Sequence, residues 1–254
     1  MGAWNHENQG EVFPRSARHR FYKRPMPARL SKLGCALALT LASFAVVSHA
    51  ADTPWATLFN GTSLDGWVQR GGQARYRVEN GELVGEAVPK TPNSFLCTQR
   101  AYTNFVLELE FKPMTGLNSG VQVRSECFDQ PKTVELGGKT YQIPAGRVHG
   151  YQIEIDPSDR AWTAGIYDEG RRGWLRDLKD NEAARKAFRA NAWNSLRIEC
   201  RGDSIRTWLN GVAAAELKDN VTPAGFIGLQ VHGVGDSSAK LEIHWRNLRL
   251  QELP

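Results

Sequence analysis

Apolar and polar residues alternate along most of the chain beyond residue 50, and turn-forming residues separate the alternating runs. Positions 105–112 alternate Phe, Leu, Leu and Phe with Val, Glu, Glu and Lys. Positions 151–156 and 196–201 repeat the same two-residue period. Because successive side chains of a strand point to opposite faces of a sheet, this period predicts β-strands with one buried face.

Asn-Gly pairs mark tight turns between neighbouring runs. Asn80-Gly81 follows a run at 76–78, and Asn210-Gly211 follows a run at 205–209. Both residues of such a pair tolerate positive φ, which two-residue hairpin turns require. The sequence therefore predicts a hairpin at each place.

Taken together, about a dozen short strands with turns every eight to twelve residues predict an all-β fold, either a sandwich or a barrel. One segment differs from this pattern. Asp180 to Ala190 is rich in Ala, Glu, Lys and Arg. This composition predicts one short surface helix, with Asp180 as its N-cap.

The segment from Ser125 to His149 is predicted to leave the sheets. It contains Pro131 and a Gly137-Gly138 pair, and its portion from Val134 to Ile143 fits a small hairpin. Long inserted loops on sandwiches often border a binding site, with a solvated loop as the equal alternative.

The first fifty residues have the composition of a secretory leader. Arg29 and Lys32 precede an apolar run from Leu37 to Val47, and small residues precede a cleavage point at Ala50. The run is too short for a transmembrane helix. We therefore expect residues 1–50 to be an N-terminal extension and signal peptide, and residues 51–254 to be a single β-sandwich domain that is periplasmic or secreted.

Setting the leader aside changes the charge of the chain. The chain holds 32 Lys and Arg against 27 Asp and Glu, and residues 51–254 hold 25 of each. A net charge near zero gives no electrostatic reason to expect a nucleic-acid partner. The cysteines of this part, Cys97, Cys127 and Cys200, have no spacing typical of a zinc site, and their odd number leaves at least one thiol unpaired.

Candidate chemistry lies first on the strand at 151–156. If its apolar residues face the core, then Gln152, Glu154 and Asp156 project from the opposite face, ~6.5–7 Å apart along the strand. Two carboxylates in register raise each other's pKa, which suits a general acid/base pair. An ordinary solvated face is the alternative.

The same parity predicts more polar side chains on this face. Gln122 and Arg124 alternate with core residues after a tight corner at 118–120, and Gln230 and His232 do so near the end of the chain. If these strands are neighbours, one face collects Arg, His, Gln, Glu and Asp side chains. Arg124 could then stabilise an oxyanion, and His232 could transfer a proton.

The segment 162–174 combines aromatic and charged residues between glycines, among them Trp162, Tyr167, Glu169 and Arg172. Aromatic rings stack on the apolar faces of sugars, whereas carboxylates and guanidinium groups hydrogen-bond to sugar hydroxyls. The segment predicts a substrate loop, with aromatic packing at the rim of the sandwich as the alternative.

Several motifs in residues 51–254 occur together in one known family. They are Leu58-Phe59-Asn60-Gly61-Thr62-Ser63-Leu64-Asp65-Gly66-Trp67, Asn118-Ser119-Gly120 followed by Arg124, Gly150 to Asp156, Tyr167 to Gly173, Trp193 to Ile198, Trp208 to Gly211, Gly228 to Gly233 and Trp245 to Leu250. With them, the chain resembles the 3-keto-disaccharide hydrolase family, also described as 3-keto-glucoside lyase/hydratase domains, from about Thr57 to Leu253. The resemblance implies a two-sheet jelly roll of the concanavalin A/laminarinase type with a concave face.

The resemblance also implies a reaction on glycosides already oxidised at C3. The C3 ketone acidifies the C2 proton, so that a base can remove it and the C1 substituent leaves by β-elimination. Water then adds to the resulting 2-hydroxyglucal, and the net change is hydrolysis. This chemistry needs a base, an acid for the leaving oxygen and a cationic partner for the enolate.

Candidates for each role follow from the motifs that match. The base is Glu154 or Asp156, the acid is Glu169, and the enolate partner is Arg124, Arg172 or His232. The predicted substrate-binding residues are Asn118, Arg124, Gln152, Trp162, Tyr167, Arg172 and Gln230. The carboxylates could ligate a divalent metal, but their spacing demands neither a metal nor another cofactor.

The implied partner is an oxidised (3-keto) di- or oligosaccharide or glycoside, which a sugar 3-dehydrogenase would supply. A non-catalytic carbohydrate-binding module is the competing function. It would use the same fold and the same aromatic residues, but it would not need paired carboxylates.

Overall fold

The computed structural model describes residues 53–254, so the predicted signal peptide in residues 1–50 lies outside the described part of the chain. The described elements, in chain order, are β1 (Ala56–Thr57), β2 (Trp67–Gly71), β3 (Arg75–Glu79), β4 (Glu82–Glu86), β5 (Ser94–Thr98), β6 (Phe105–Pro113), β7 (Ser119–Cys127), β8 (Lys132–Leu136), β9 (Lys139–Ile143), β10 (Val148–Ile155), β11 (Ile166–Glu169), β12 (Gly173–Arg176), α1 (Glu182–Ala187), β13 (Asn194–Arg201), β14 (Ser204–Leu209), β15 (Val212–Lys218), β16 (Phe226–Val231) and β17 (Glu242–Glu252). Among residues 53–254, no helix is long and apolar enough to cross a membrane.

Two large antiparallel sheets form the domain. The first sheet has the strand order β15-β14-β13-β6-β17-β4-β3, with β1 also paired to β17. The second sheet has the order β12-β11-β10-β7-β16-β5-β2. Most sheet neighbours are distant in sequence, as expected of a jelly roll, and the predicted all-β class with one short helix is confirmed.

The core lies between the two sheets and follows the alternation of the sequence. The second sheet contributes the inward side chains Val121, Val123, Tyr151, Ile153, Ile155 and Leu229, and the first sheet contributes Leu107, Leu109, Phe111, Leu196, Ile198 and Trp245. All of them are at most 2% exposed, and burying a large apolar side chain contributes about 1.5–3 kcal/mol. This burial fixes which face of each strand remains for polar residues.

The predicted hairpins are present. Asn80 and Asn210 have φ values of 52° and 50°, and each is followed by a glycine with positive φ. Between β7 and β10, the small sheet of β8 and β9 forms the predicted excursion, with its turn at Gly137-Gly138.

The helix is shorter than predicted, and its N-cap is Asn181 rather than Asp180. The Asn181 side chain accepts a hydrogen bond from the backbone N–H of Ala184, while its own amide donates to the carbonyls of Ala213 and Ala214. An aspartate at this position could make the first bond but not the others, because an ionised carboxylate only accepts hydrogen bonds.

Candidate functional site

Four neighbouring strands of the second sheet, β16, β7, β10 and β11, carry polar side chains on the face turned away from the core. Gln152 on β10 lies opposite Gln122 on β7 and opposite Tyr167 on β11. Two residues further along β10, Glu154 lies opposite Gly120 on β7, and Gly120 lies opposite Gln230 on β16. The strand order therefore brings residues more than one hundred positions apart into adjacent rows.

A cavity of about 560 Å³ lies over this face. Its lining residues are Asn118, Gln152, Glu154, Asp156, Ser158, Arg160, Tyr167, Glu169, Trp174 and His232. We call it the carboxylate pocket. It unites the four predicted catalytic residues with three of the predicted substrate-binding residues.

Glu154 is the carboxyl-bearing residue of β10 that lines the pocket, and it is 5% exposed. Its two oxygens accept hydrogen bonds from the Asn118 amide at 2.7 Å and from the Gln152 amide at 2.9 Å. Burial raises the pKa of Glu154, and these two hydrogen bonds oppose the rise without cancelling it. The pKa of Glu154 therefore lies closer to neutral pH than that of an exposed glutamate, which makes both its protonated and its ionised form accessible there.

Asp156 stands just beyond β10 and has a different role. Its carboxylate accepts from the Ser158 hydroxyl at 2.6 Å, from Arg160 Nε at 2.7 Å and from the Trp162 backbone N–H at 3.2 Å. Burial opposes ionisation, but these bonds outweigh it and lower the pKa of Asp156. Asp156 thus remains ionised and organises the loop that follows β10.

Arg160 is the cation nearest to these two carboxylates. Its guanidinium reaches Asp156 at 2.7 Å and lies 3.8 Å from Glu154 Oε1. The same group lies over the rings of Trp162 and Trp174, 4.8 and 5.1 Å from their centroids. Stacking and the ion pair fix its orientation at the mouth of the pocket.

Glu169 on β11 supplies a third buried carboxyl group of the pocket, at 6% exposed. Arg147 donates to Glu169 Oε1 at 2.9 Å, and Asn93 also hydrogen-bonds to the carboxyl group. Burial raises the pKa of Glu169, while Arg147 and His232 oppose the rise. His232 Nδ1 lies 2.8 Å from the Gly233 carbonyl oxygen, an acceptor, so the proton is placed on Nδ1 and Nε2 can accept one.

Aromatic rings form one wall of the pocket. Trp174 packs edge-on against Trp162 and Tyr167, with centroid distances of 4.8 and 5.3 Å. Trp174 and Tyr167 line the cavity, whereas Trp162 contacts Trp174 but is not a lining residue. Burial and the nearby Glu169 and Glu154 raise the pKa of Tyr167, which keeps its hydroxyl protonated as a hydrogen-bond donor.

Arg124 lies away from this pocket, contrary to the parity argument. Its φ is +46°, and the register of β7 shifts at this point against both neighbouring strands. The bulge turns the side chain to the carbonyls of Thr103 and Gly202, which it contacts at 2.7 and 2.8 Å. A bulged residue leaves the alternation of its strand, so Arg124 joins the two sheets and the next residue, Ser125, takes its place on the pocket side.

Arg172 is also engaged elsewhere. It donates to Asp168 at 2.5 Å and to Asp219 at 2.7 Å, and Asp219 in turn accepts from the hydroxyl of the core residue Tyr151. This network lies on the core side of β10 and β11. The remaining predicted binding residue, Gln230, is fully buried beneath the pocket, where its amide nitrogen donates to Gln152 Oε1 at 2.8 Å.

Sequence reasoning missed Arg160, Ser158 and Arg147, and it placed Trp174 in the loop without a role. Arg160 follows Asp156 by four residues, a spacing that permits an ion pair across a short loop. That spacing is common among charged residues, so it could not single out this arginine. Among residues 53–254, no group of three or more His, Cys, Asp or Glu side chains is arranged to hold a metal ion.

A larger cavity, of about 970 Å³, lies against the first sheet. Its charged lining residues neutralise one another, since Glu108 accepts from both Arg197 and Arg249 at 2.6 Å. Burial opposes ionisation of Glu108, but the arginines outweigh it and lower its pKa. Perturbed groups suited to proton transfer occur in the carboxylate pocket instead, which makes it the better candidate.

Residues 54–251 match the family model described as 3-keto-alpha-glucoside-1,2-lyase-like domain. No curated protein matches the chain.

Solved structures of the same fold include sugar-related proteins. A Parabacteroides distasonis ATCC 8503 protein described as a candidate glycosyl hydrolase is 18% identical over 79% of this chain and 94% of its own, with a TM-score of 0.51. The carbohydrate-binding module CBM66 from Bacillus subtilis is 17% identical over 74% and 96%, with a TM-score of 0.51. A Bacillus subtilis protein of unknown function with a galectin-like fold is 12% identical over 78% and 94%, with a TM-score of 0.54. At these identities the likeness concerns the fold alone.

Proposed function

Because the chain belongs to the 3-keto-alpha-glucoside-1,2-lyase-like domain family, we propose that it cleaves 3-keto-glycosides by β-elimination of the C1 substituent and hydration of the resulting glucal. The observation that carries this proposal is the pair of buried glutamates in the carboxylate pocket. Glu154 and Glu169 both have raised pKa values, chiefly because of burial. A reaction that removes one proton and delivers another requires two such groups.

Glu154 is the proposed base for the C2 proton. Its oxygens accept two amide hydrogen bonds, so the ionised form is available although the group is buried. A carboxylate of raised pKa is also a stronger base than an exposed one. Asp156 is less suited to this role. Its lowered pKa makes it a weaker base, and its carboxylate already accepts hydrogen bonds from the loop that follows β10.

Glu169 is the proposed acid for the leaving C1 oxygen, and His232 beside it can exchange the proton with water. On the paired strand, Glu169 lies opposite Gly150, four residues before Glu154, an offset of ~13 Å along the strand. Both side chains line the same cavity, so their carboxyl groups can approach one sugar from neighbouring strands.

Arg160 is the proposed partner for the C3 oxygen, on which negative charge develops as the C2 proton leaves. Its guanidinium is held at the pocket by Asp156 and by two tryptophan rings, so little reorganisation is needed when the charge appears. Trp174 and Tyr167 offer an aromatic surface for the sugar ring.

We further propose that the domain acts after export, with the signal peptide removed near Ala50. The substrate of this reaction already carries a ketone at C3. An oxidation by a sugar 3-dehydrogenase must therefore precede this reaction.

The test uses 3-keto-trehalose, 3-keto-sucrose and an aryl 3-keto-glucoside as substrates for the protein of residues 51–254. We expect release of the aglycone and transient ultraviolet absorption of the 2-hydroxyglucal. The isosteric variants Glu154→Gln and Glu169→Gln should each lower turnover by roughly 10²–10⁴-fold, the usual contribution of a general acid or base. The surface variant Glu182→Gln, whose side chain is 76% exposed, is the matched control.

A non-catalytic carbohydrate-binding module gives a different result. It would bind the same sugars without releasing an aglycone, and Glu154→Gln would change only its affinity. Turnover that persists unchanged in both glutamine variants would contradict the proposed roles.

A further inference from the structure

The glycine at position 120 leaves the space in which the Gln152 side chain lies. A Cβ atom at Gly120 would stand 2.6 Å from both Cγ and Cδ of Gln152, and 2.9 Å from its Nε2. The backbone of Gly120 is not in the positive-φ region, so its conformation does not require glycine. The absence of a side chain at Gly120 instead makes room for Gln152, whose amide extends over β7 toward Gln122 and Gln230.

Those partners form a directed chain of amides. The Ser125 hydroxyl donates to Gln122 Oε1 at 2.7 Å, which turns Gln122 Nε2 toward Gln152 Oε1 at 2.6 Å. Gln152 then presents its nitrogen to Glu154 Oε2 at 2.9 Å. Because an amide has its acceptor at one end and its donor at the other, each step fixes the orientation of the next.

Gln230 reinforces the same orientation at an energetic cost. Its nitrogen donates to Gln152 Oε1 at 2.8 Å, while its own Oε1 is buried without a hydrogen-bond partner among the described residues. An unpaired buried carbonyl is destabilising. Two donors therefore converge on one oxygen of Gln152, and the only group that this arrangement directs toward the carboxylate is the Gln152 N–H.

We propose that the chain Ser125–Gln122–Gln152, seated over Gly120 and reinforced by Gln230, is a positioning device that keeps Glu154 ionised and aimed into the pocket. This inference rests on the proposed role of Glu154 as the base. Gln152 lines the pocket, whereas Ser125, Gln122 and Gly120 act through it as positioning residues.

The amide chain and burial have opposite effects on the pKa of Glu154. Burial raises the pKa of Glu154, and the amides of Asn118 and Gln152 lower it. The charged or titratable groups that face Glu154 are Asp156 beyond its own strand, Arg160 in the following loop and Tyr167 on β11. Glu169 and His232 line the same pocket farther away. None of these groups is part of the amide chain, so breaking the chain leaves them in place.

Two variants break the chain at different points. Gly120→Ala displaces the Gln152 amide sterically, and Gln122→Met removes one of the two donors to Gln152 Oε1 at nearly constant volume. In Gly120→Ala we expect the pKa of Glu154 to rise by roughly one unit, the size expected when one hydrogen bond to an ionised carboxylate is lost. In Gln122→Met we expect a smaller rise, because Gln230 still donates to Gln152 Oε1. The pKa is read from the ¹³Cδ shift of Glu154 during a pH titration, with Glu154→Gln used to assign the resonance.

The pH profile of kcat/KM provides the second readout. In each variant its acidic limb should move to higher pH by the same amount as the pKa of Glu154, while the alkaline limb, which Glu169 sets, should stay in place. Gln99→Met, at an exposed turn, is the control and should change neither quantity.

Three outcomes distinguish a positioning role of the amide chain from a merely structural one. A shifted pKa with a shifted acidic limb supports the device. An unchanged pKa in both folded variants overturns it, as does a loss of kcat that is uniform across pH, which indicates a merely structural role. If Gln122→Met does not fold, Ser125→Ala tests the same chain from its other end. The titration needs no substrate, so a wild-type protein without turnover would contradict the proposed function and leave the pKa comparison decisive for the device.

Discussion

Glu154 and Asp156 lie two residues apart, yet their environments shift their pKa values in opposite directions. Both are buried, and burial disfavours the charged form of each. Asp156 overcomes this penalty with hydrogen bonds from a serine hydroxyl, an arginine and backbone N–H groups, whereas Glu154 has two neutral amides only. Asp156 accepts four hydrogen bonds, one of them from a cation, against two for Glu154, so its ionised form is stabilised more strongly.

These directions predict a bell-shaped pH dependence. Glu154 must be ionised to act as the base, so kcat/KM should rise with pH through a pKa above the usual glutamate value. Glu169 must be protonated to act as the acid, so kcat/KM should fall above its own raised pKa. Rates measured from about pH 4 to about pH 9 check this expectation, and Glu169→Gln should remove the alkaline limb. A profile flat through the acidic range would be inconsistent with Glu154 as the base.

Replacing Arg160 tests the proposed partner of the C3 oxygen. Arg160→Met should lower kcat/KM by roughly 10²–10³-fold, the usual effect of removing one group that stabilises a developing oxyanion. Arg160→Lys should recover only part of the activity, because lysine lacks the planar group that stacks on Trp162 and Trp174.

The matched control for this experiment is Arg75→Met, which removes an exposed arginine paired with Glu86 on the first sheet. Thermal unfolding of each variant separates a loss of structure from a loss of rate. Equal activity in Arg160→Met and the wild type would exclude the proposed role.

At the scale of elements, β7 shows how one bulge changes the face that a strand presents. Up to Val123 the alternation holds, and Gln122 lies on the pocket side. At Arg124 the backbone enters the positive-φ region, and the arginine leaves that face for the carbonyls of two loops. A bulge arises from the pairing with neighbouring strands, so the alternation within β7 could not reveal it.

The strands β10 and β11 are tied to the loop after β15 by a buried ionic network. Asp168 is fully buried and accepts from Arg171 at 2.8 Å and from Arg172 at 2.5 Å. Asp168→Asn should lower the free energy of unfolding by about 3–5 kcal/mol, because it leaves the buried Arg171 guanidinium without its counter-charge. Urea unfolding measures the change.

The exposed Asp180→Asn is the control for this substitution and should leave the midpoint of unfolding nearly unchanged. A loss well below 1 kcal/mol in Asp168→Asn would show that the network contributes little to stability.

At the scale of the whole molecule, the jelly-roll order of the strands assembles the site. β7, β10, β11 and β16 are far apart in the chain, but they are neighbours in the second sheet. The same geometry separates Cys97 on β5 from Cys127 on β7, since β16 lies between these strands. Strands two positions apart are ~9.6 Å from each other, beyond the Cα separation that a disulfide spans, and both thiols are free.

The sequence by itself determined the fold class, the family and the face of β10 on which chemistry lies. It did so because a strand alternates its side chains with a period of two, and because burial of Tyr151, Ile153 and Ile155 forces Gln152 and Glu154 to the other side. These are local consequences of pattern, and they hold whichever strands become neighbours.

Only the tertiary structure decided which polar residues meet. Arg124 and Arg172 have the right chemistry, but a bulge and a buried ionic network engage them elsewhere, while Arg160 reaches the carboxylates from a loop. Pairing register, loop path and competition among charges depend on the whole assembled sheet. The sequence thus located one wall of the pocket, and the packing of the strands supplied the rest.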